Sequence, residues 1–288
     1  MKKPLFQGVC TALVTPFLNG EVNYPMMEQL LRRQLDAGIK AVVISGTTGE
    51  APTLTDDEKL EMFHRAKSFV GDDCLIIAGT GCNSTAKTTE LSLAAQEEGV
   101  DALLLVSPYY NKATAEGLVA HYLTVAHSVH IPIILYNVPS RTGVDIPITV
   151  YRRLSGITNI AGTKEASNEL TKITKTCSTC GDFFVWSGND EYIVPAMSLG
   201  AQGVISVLSN VVPVETQAMT SAMLAGDLDT ATALQQQLQP LIDLLFCEVN
   251  PIPVKAAMNY LGYDCGGCRL PLTELSKENQ KRLEAYFK

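Results

Sequence analysis

The sequence predicts an α/β fold, a closed (β/α)8 TIM barrel followed by a C-terminal helical extension, and three observations support this prediction. Eight short apolar runs follow one another along residues 9–207, and helical segments separate them. The runs lack the polar alternation of a strand with one solvated face, which is typical of parallel strands covered on both sides. Eight strand–helix repeats with right-handed connections close into a barrel. An open, doubly wound sheet is the alternative.

The predicted strands are defined by their apolar residues. In chain order they are VCTALVTPF (9–17), AVVISG (41–46), CLIIAGTG (74–81), ALLLVSP (102–108), PIILYNVP (132–139), NIAGTKEA (159–166), FFVWSG (183–188) and GVISV (203–207). The segments between them carry helix signals. Residues 25–38 form a predicted helix that stops at Gly38, and Thr55 with Glu58 forms a capping box that opens the next helix.

The chain continues well beyond the eighth predicted strand. A helix is predicted near residues 213–225, and further helical segments occupy residues 227–288. We therefore expect residues 1–226 to form the barrel and residues 227–288 to form the helical extension. Because the barrel is then already complete, we expect the extension to pack on the outside of the barrel or to take part in an oligomer contact.

Composition and charge exclude several classes of function. Of the 288 residues, 46% are hydrophobic and 18% are charged, which suits a large folded core. The net charge of −8 disfavours nucleic acid or an anionic membrane as a partner. No apolar run reaches the roughly 18 residues of a membrane span, and the apolar stretch near the amino terminus is too short for a signal peptide. We expect a cytoplasmic protein.

The cysteines and histidines do not predict a metal site. Four of the eight cysteines form two pairs, Cys177 with Cys180 and Cys265 with Cys268. These pairs are too far apart in the chain for a compact zinc module, and disulfide frameworks are typical of exported proteins. The four histidines fall in predicted helices or at helix ends, which disfavours a metal-dependent aldolase. We expect neither a metal ion nor another cofactor.

Polar residues follow six of the predicted strands, at the end of a barrel where catalytic residues lie. They are Thr47-Thr48-Gly49-Glu50, Gly79-Thr80-Gly81, Ser107-Pro108-Tyr109-Tyr110-Asn111, Tyr136-Asn137 with Arg141, Lys164-Glu165 and Ser187-Gly188-Asn189-Asp190. Because the carboxyl ends of all strands surround one opening, we expect these side chains to form a single site. A nucleotide-binding loop at residues 79–81 is the rival interpretation, but the third glycine of the dinucleotide-binding fingerprint and the P-loop lysine are missing.

Lys164 is the most informative residue of this set. It lies in a strand of small and apolar residues, where partial desolvation favours a neutral amine that can form a Schiff base with a carbonyl. An ordinary ion pair with Glu165 is the alternative, but neighbouring residues on a strand point to opposite faces. A reactive lysine favours a class I aldolase-type enzyme over a binding protein, which would have no use for it.

Imine chemistry also requires proton transfers, and hydroxyl groups are the nearby candidates. Tyr136 and Thr47 are predicted to carry protons, with Tyr110 linking them to solvent. A tyrosine considered alone is more often a packing residue whose hydroxyl finds a partner. The planar guanidinium of Arg141 suits a bidentate interaction with a substrate carboxylate. The alternative interpretation is that Arg141 is an ordinary solvated charge in a loop.

Several motifs in this order resemble the dihydrodipicolinate synthase / N-acetylneuraminate lyase family, and the resemblance extends over the whole chain. The motifs are Gly46-Thr-Thr-Gly-Glu50, Ser107-Pro-Tyr-Tyr-Asn111, Tyr136-Asn-Val-Pro-Ser-Arg-Thr-Gly143, Gly162-Thr-Lys-Glu165 and Asn250-Pro-Ile-Pro-Val-Lys255. Arg141 favours the synthase branch, and sialic-acid lyases usually carry Gly-Ser-Thr-Gly-Glu where this chain has Gly-Thr-Thr-Gly-Glu.

The resemblance implies a Schiff-base enzyme that condenses pyruvate with L-aspartate 4-semialdehyde in diaminopimelate and lysine biosynthesis, as a homotetramer or homodimer. The alternative is another pyruvate-dependent aldolase of the family, such as an N-acetylneuraminate or 2-keto-3-deoxy sugar acid lyase. The resemblance implies that Lys164 forms the imine and that Thr47, Tyr136 and the neighbouring subunit's Tyr110 relay protons. It implies that Thr48 binds the pyruvate carboxylate and Arg141 binds the semialdehyde. The backbone carbonyls of Gly188 and Ile205 are then expected to face the site. Asn189 departs from the aspartate of many relatives.

The resemblance also bears on feedback inhibition by L-lysine, which many relatives show at a subunit contact. Asn83 and Tyr109 match that pocket. Lys87 stands where lysine-sensitive relatives have a glutamate, and Asp56 and Lys59 replace histidines. Because added cations repel the two ammonium groups of lysine, we expect weak inhibition.

Overall fold

The computed structural model describes residues 2–288 and contains a closed barrel of eight parallel strands beside a small antiparallel hairpin. The strands are β1 (Gly8–Ala12), β2 (Phe17–Leu18) and β3 (Glu21–Val22) of the hairpin, β4 (Ala41–Ile44), β5 (Leu75–Gly79), β6 (Ala102–Val106), β7 (Ile133–Asn137), β8 (Ile160–Glu165), β9 (Phe184–Ser187) and β10 (Gly203–Ser206). Each barrel strand pairs with its neighbours in chain order, and β1 closes the barrel between β4 and β10. The predicted barrel is confirmed.

The predicted strand boundaries were too wide, most of all in the first run. β1 ends at Ala12, and residues 13–17 of that run lead into the hairpin. The last residues of the other runs leave the sheet to form loops at the carboxyl ends of the strands. The residues at the ends of these runs are mostly small, and many are buried like the strands, so composition alone does not locate the strand end.

Twelve helices accompany the strands within residues 2–288. They are α1 (Tyr24–Asp36), α2 (Asp56–Val70), α3 (Thr85–Glu97), α4 (Ala115–Ser128), α5 (Pro139–Thr142), α6 (Ile148–Ser155), α7 (Leu170–Thr179), α8 (Ile193–Ser198), α9 (Pro213–Ala225), α10 (Leu228–Leu245), α11 (Ile252–Tyr260) and α12 (Lys277–Phe287). The predicted capping box of α2 is present, with reciprocal hydrogen bonds between Thr55 and Glu58. None of these helices combines the length and apolarity needed to cross a bilayer. The domain division at residue 226 stays a prediction.

The core has two layers, because successive residues of each strand point alternately out to the helices and in to the barrel axis. At the amino-terminal end of the barrel the rings of Phe6 and Trp186 stack with centroids 5.0 Å apart, and Trp186 Nε1 donates a hydrogen bond to the Phe6 carbonyl oxygen. These aromatic rings fill that end. The other end, which we call the mouth, is open to polar side chains.

A β-bulge in β8 decides which residues of that strand face the axis. Ile133 pairs with Ile160, but the next residue of β7, Ile134, pairs with Gly162, so Ala161 is the extra residue. The bulge shifts the in–out alternation by one position. Ile160 faces the helices, and Lys164 faces the axis instead of continuing on the outer side.

Candidate active site

Lys164 lies near the carboxyl end of β8, where the register places it beside Tyr136 of β7 and Trp186 of β9. Its side chain is only 5% exposed, and Nζ lies 4.4 Å from the centroid of the Tyr136 ring. Within residues 2–288 the amine has no hydrogen bond and no ion pair. Such an amine is uncommon in a protein interior, because burying a charged group is costly unless it is paired.

Glu165, the next residue, points to the opposite face and belongs to a different environment. Its carboxylate accepts hydrogen bonds from Asn137 Nδ2 (2.7 Å) and from the Tyr151 hydroxyl (2.9 Å), and Lys172 Nζ lies 4.0 Å away. Burial raises the pKa of the Glu165 carboxyl, and the positive charge of Lys172 acts in the opposite direction. The ion pair between Lys164 and Glu165 is therefore absent, as the strand alternation predicted.

Lys164 lines a cavity of about 250 Å³ at the mouth. The structure brings six of the eight predicted site residues to this cavity: Thr47, Thr48, Tyr136, Arg141, Lys164 and Gly188. They come from the loop after β4, from β7 and the following α5, from β8 and from the loop after β9. An amine, hydroxyl groups and a guanidinium therefore line one cavity.

A side chain at Gly188 would collide with its neighbours, because this residue lies against Ala166 and Lys164. A Cβ at this position would be 3.1 Å from Lys164 Cε and 2.7 Å from the Ala166 Cβ. The second distance is shorter than side chains tolerate. Any larger residue would displace Lys164 or fill the cavity beside it.

Ile205 and Tyr110 are not among the residues that line this cavity. Ile205 is fully buried on β10 and packs inside the barrel. Tyr110 follows β6, has a left-handed backbone (φ 72°) and is 90% exposed. One chain therefore does not bring the Tyr110 hydroxyl to Lys164.

The extension packs against α8 and α9 on the outside of the barrel, as expected, and it also contributes to the mouth. Its residues Ile242, Phe246 and Asn250 line the cavity. Asn250 Nδ2 donates to the Thr48 hydroxyl oxygen (3.1 Å), and the Asn250 carbonyl oxygen accepts from Arg141 Nη2 (3.2 Å). The resemblance included the Asn250–Lys255 stretch but gave it no role, and no local pattern predicts a contact between residues 202 positions apart.

Asp190 is a further buried acid at the cavity that the sequence analysis left without a role. Its Oδ2 accepts hydrogen bonds from the backbone N–H groups of Val207 and Leu208, both 2.9 Å, whereas Oδ1 has no partner within the described chain. Burial raises the pKa of the Asp190 carboxyl, and the charge of Lys164 acts in the opposite direction. The neighbouring Asn189, which departs from many relatives, donates its side-chain amide hydrogen bond to Asn168.

A second cavity of about 500 Å³ adjoins the first and shares four lining residues with it: Thr47, Tyr136, Val138 and Arg141. Its other lining residues include all five positions considered for lysine binding: Asp56, Lys59, Asn83, Lys87 and Tyr109. Lys59 Nζ pairs with Asp56 Oδ1 at 3.0 Å. The carboxylate at position 56 is therefore already engaged by a lysine of this chain.

Residues 5–288 match the model of the dihydrodipicolinate synthetase family. The chain belongs to this family. The 4-hydroxy-tetrahydrodipicolinate synthase of Acetivibrio thermocellus is 43% identical over 289 residues, with 100% of this chain and 98% of the relative covered. The predicted family is confirmed.

Solved structures of the family have the same fold. The dihydrodipicolinate synthase of Aquifex aeolicus superposes with a TM-score of 0.96 at 43% identity, and 98% of this chain and 97% of that one are covered. The enzyme of Cyanidioschyzon merolae, solved with lysine bound, gives a TM-score of 0.95 at 38% identity, with 98% and 97% covered.

Proposed function

We propose that this protein condenses pyruvate with L-aspartate 4-semialdehyde to give 4-hydroxy-tetrahydrodipicolinate, in diaminopimelate and lysine biosynthesis. The observation that carries the proposal is the buried, unpaired amine of Lys164 in a cavity lined by hydroxyl groups and a guanidinium. Relatives that match the whole chain are named for this lyase reaction. The same arrangement would serve other pyruvate aldolases, so the second substrate is assigned from the relatives.

The reaction follows from the nucleophilic amine. Lys164 Nζ attacks C2 of pyruvate, and one water leaves as the imine forms. Loss of a C3 proton gives the enamine, whose C3 attacks the aldehyde carbon. The amino group of the former semialdehyde then attacks the imine carbon, closes the ring and releases Lys164 as a free amine. One water is formed for each product molecule.

The remaining residues have distinct roles in this proposal. The hydroxyls of Thr47 and Tyr136 carry protons to and from the imine, and Thr48 binds the pyruvate carboxylate. Arg141, held by the Asn250 carbonyl, binds the carboxylate of the semialdehyde. The main-chain carbonyls of Gly188 and Ile205 face the bound substrates, as the resemblance implies.

Borohydride reduction in the presence of pyruvate tests the covalent step. We expect intact mass and peptide mapping to locate one reduced adduct on Lys164 and none on the other buried lysines, Lys172 and Lys255. No adduct, or an adduct elsewhere, would refute the mechanism. A coupled assay with pyruvate and a panel of aldehydes identifies the second substrate, and a preference for a sugar aldehyde would favour the alternative lyase.

We propose further that a neighbouring subunit supplies Tyr110, so the smallest active unit is a dimer within a homodimer or homotetramer. Tyr110 has a left-handed backbone and is 90% exposed, so its side chain is free to contact another chain. Tyr110→Phe is expected to lower kcat by about 10²–10⁴-fold. Mixed dimers of Tyr110→Phe and Lys164→Ala chains contain one intact site, so mixing should restore activity that neither variant has. Full activity of a monomer in the ultracentrifuge would contradict the shared site.

Weak binding of L-lysine is the third proposal, and the second cavity supports it. Lys59 and Lys87 bring two cations to the space where a ligand with two ammonium groups would lie. The carboxylate of Asp56 is paired with Lys59, so it offers little compensation. Repulsion and the loss of an acceptor therefore both disfavour lysine.

A cytoplasmic location fits this function. All eight cysteines are free thiols in the structure, including both Cys-x-x-Cys pairs. Free thiols persist in the reducing cytoplasm. Cell fractionation should recover the enzyme activity in the cytoplasmic fraction, with the cysteines of the protein reduced.

A further inference from the structure

The extension holds the mouth of the barrel through one short stretch, Asn250–Lys255. Its first residue donates a hydrogen bond to the Thr48 hydroxyl at 3.1 Å, and its last residue, Lys255, pairs with Glu50 Oε1 at 2.9 Å. Both partners belong to residues 45–50, which we call the threonine turn because it carries Thr47 and Thr48. Two anchors from the same stretch therefore hold the same turn.

The pair of Lys255 and Glu50 is buried. Lys255 is 1% exposed, and its Nζ also donates to the Gly267 carbonyl oxygen at 2.6 Å and lies 4.3 Å from the centroid of the Phe17 ring. The second carboxylate oxygen of Glu50 accepts a hydrogen bond from the Arg269 backbone N–H at 2.9 Å. Separating the two side chains would leave a buried charge uncompensated, which is costly. The pair therefore holds Glu50 in place.

The backbone of the threonine turn depends on such anchors. Ser45 and Glu50, at its two ends, both have φ of 58°, which is uncommon for residues other than glycine. A positive φ at such a residue is unfavourable, and it is kept only where contacts with the surrounding structure stabilise it. The Glu50 N–H donates a hydrogen bond to the Thr47 carbonyl oxygen at 3.1 Å, so the position of Glu50 constrains the position of Thr47.

We propose that Lys255 is a positioning residue for catalysis. Through Glu50 it holds the threonine turn, so that the Thr47 hydroxyl meets the imine and Thr48 meets the pyruvate carboxylate. Asn250 is the second anchor. This inference rests on the proposed function, because it assigns the turn to pyruvate binding and proton transfer.

The test compares three variants with wild-type enzyme. Lys255→Met removes the amine, Glu50→Gln/Lys255→Met removes both charges so that none is left uncompensated, and Asn250→Ala removes the other anchor. We expect kcat/KM for pyruvate to fall about 10²-fold in the Lys255 variants, because a small misplacement of a binding group has effects of this size. Both a higher KM for pyruvate and a lower kcat contribute, while KM for the aldehyde stays close to that of the wild type. Asn250→Ala should shift the pyruvate KM in the same direction.

Lys67→Met is the matched control. Lys67 pairs with Asp101 at 2.9 Å, just before β6, and has no contact with the threonine turn. This variant should lose some thermal stability and keep the pyruvate KM of the wild type. A double-mutant cycle with Thr47→Val then separates positioning from general damage. If Lys255 acts through the turn, its substitution has little further effect on kcat once Thr47 is changed.

Two results would contradict different parts of this proposal. If Lys255→Met and the charge-free double variant only melt at lower temperature, with unchanged pyruvate KM and kcat below that temperature, the positioning role is wrong. If wild-type enzyme forms no pyruvate adduct on Lys164, the proposed function fails instead. Measuring the adduct on the wild type first therefore distinguishes the two.

Discussion

Lys164 and Lys255 are both buried and both lie over an aromatic ring, yet their polar partners differ. Lys255 makes an ion pair with Glu50 and a hydrogen bond to the Gly267 carbonyl oxygen. Lys164 lines a cavity, and its Nζ lies 4.4 Å from the centroid of the Tyr136 ring. Lys255 therefore has a hydrogen-bonded carboxylate partner, and Lys164 has none within the described residues.

The comparison teaches that burial alone does not make a lysine reactive. A buried lysine paired with a carboxylate is stabilised as the cation and is no nucleophile. A buried lysine without a carboxylate partner favours the neutral form, which forms imines. Lys172, the third buried lysine, lies between these cases because it pairs with the half-exposed Asp145 and approaches Glu165 at 4.0 Å.

The largest expected effect comes from substituting the same residue at both positions. Lys164→Met should abolish the pyruvate adduct and the activity, and leave the free energy of unfolding unchanged or higher, because it removes an unpaired buried amine. Lys255→Met should lower the free energy of unfolding by about 3–5 kcal/mol, because Glu50 is left as a buried charge. Denaturant titration and mass analysis after borohydride treatment measure both properties. Equal losses of stability in the two variants would contradict the comparison.

The stability of a Lys172→Met variant should depend on pH, and this extends the comparison to the third buried lysine. In the wild type, burial raises the pKa of Glu165 above its unfolded value, and Lys172 opposes this. Without Lys172 the folded-state pKa rises further, so the folded protein retains a proton that the unfolded chain has lost. This contribution to stability is present below the unfolded pKa, about 4.3, and is lost as the pH rises through the folded pKa. We therefore expect the variant to be destabilised more at pH 8 than at pH 5.

The control for this prediction removes the titrating group. In Lys172→Met/Glu165→Gln the neutral amide keeps the shape of the side chain and no longer titrates. The difference in stability from wild type between pH 5 and pH 8 should then become smaller than in Lys172→Met alone. Thermal unfolding at the two pH values measures it, and an unchanged difference would show that Glu165 is not its source.

The smallest expected effect concerns the lysines of the second cavity, where charges are partly solvated. L-Lysine should inhibit the wild type only weakly, with half-inhibition above a millimolar. Lys87→Glu should tighten lysine binding by about tenfold or more, since a charge-assisted hydrogen bond contributes about 1.5–3 kcal/mol. Initial rates and calorimetric titration measure the change. Saturable submillimolar binding to the wild type would show that the charge argument is wrong.

The sequence by itself determined the fold and predicted most of the residues that line the candidate site. Apolar runs, caps and strand–helix alternation are local patterns, so they predicted all eight barrel strands and placed Thr47, Tyr136 and Lys164 at strand ends. The barrel architecture then required these ends to meet. Local patterns also predicted that Lys164 and Glu165 face opposite sides.

The tertiary structure decided which side each of them faces and what holds the site together. The extra residue Ala161 shifts the alternation of β8, and neither composition nor periodicity reveals that shift. The Asn250–Thr48 and Lys255–Glu50 contacts join residues 202 and 205 positions apart. Such contacts exist only once the chain has closed the barrel and the extension has packed against it, because each depends on the positions of both partners and not on the pattern around either one.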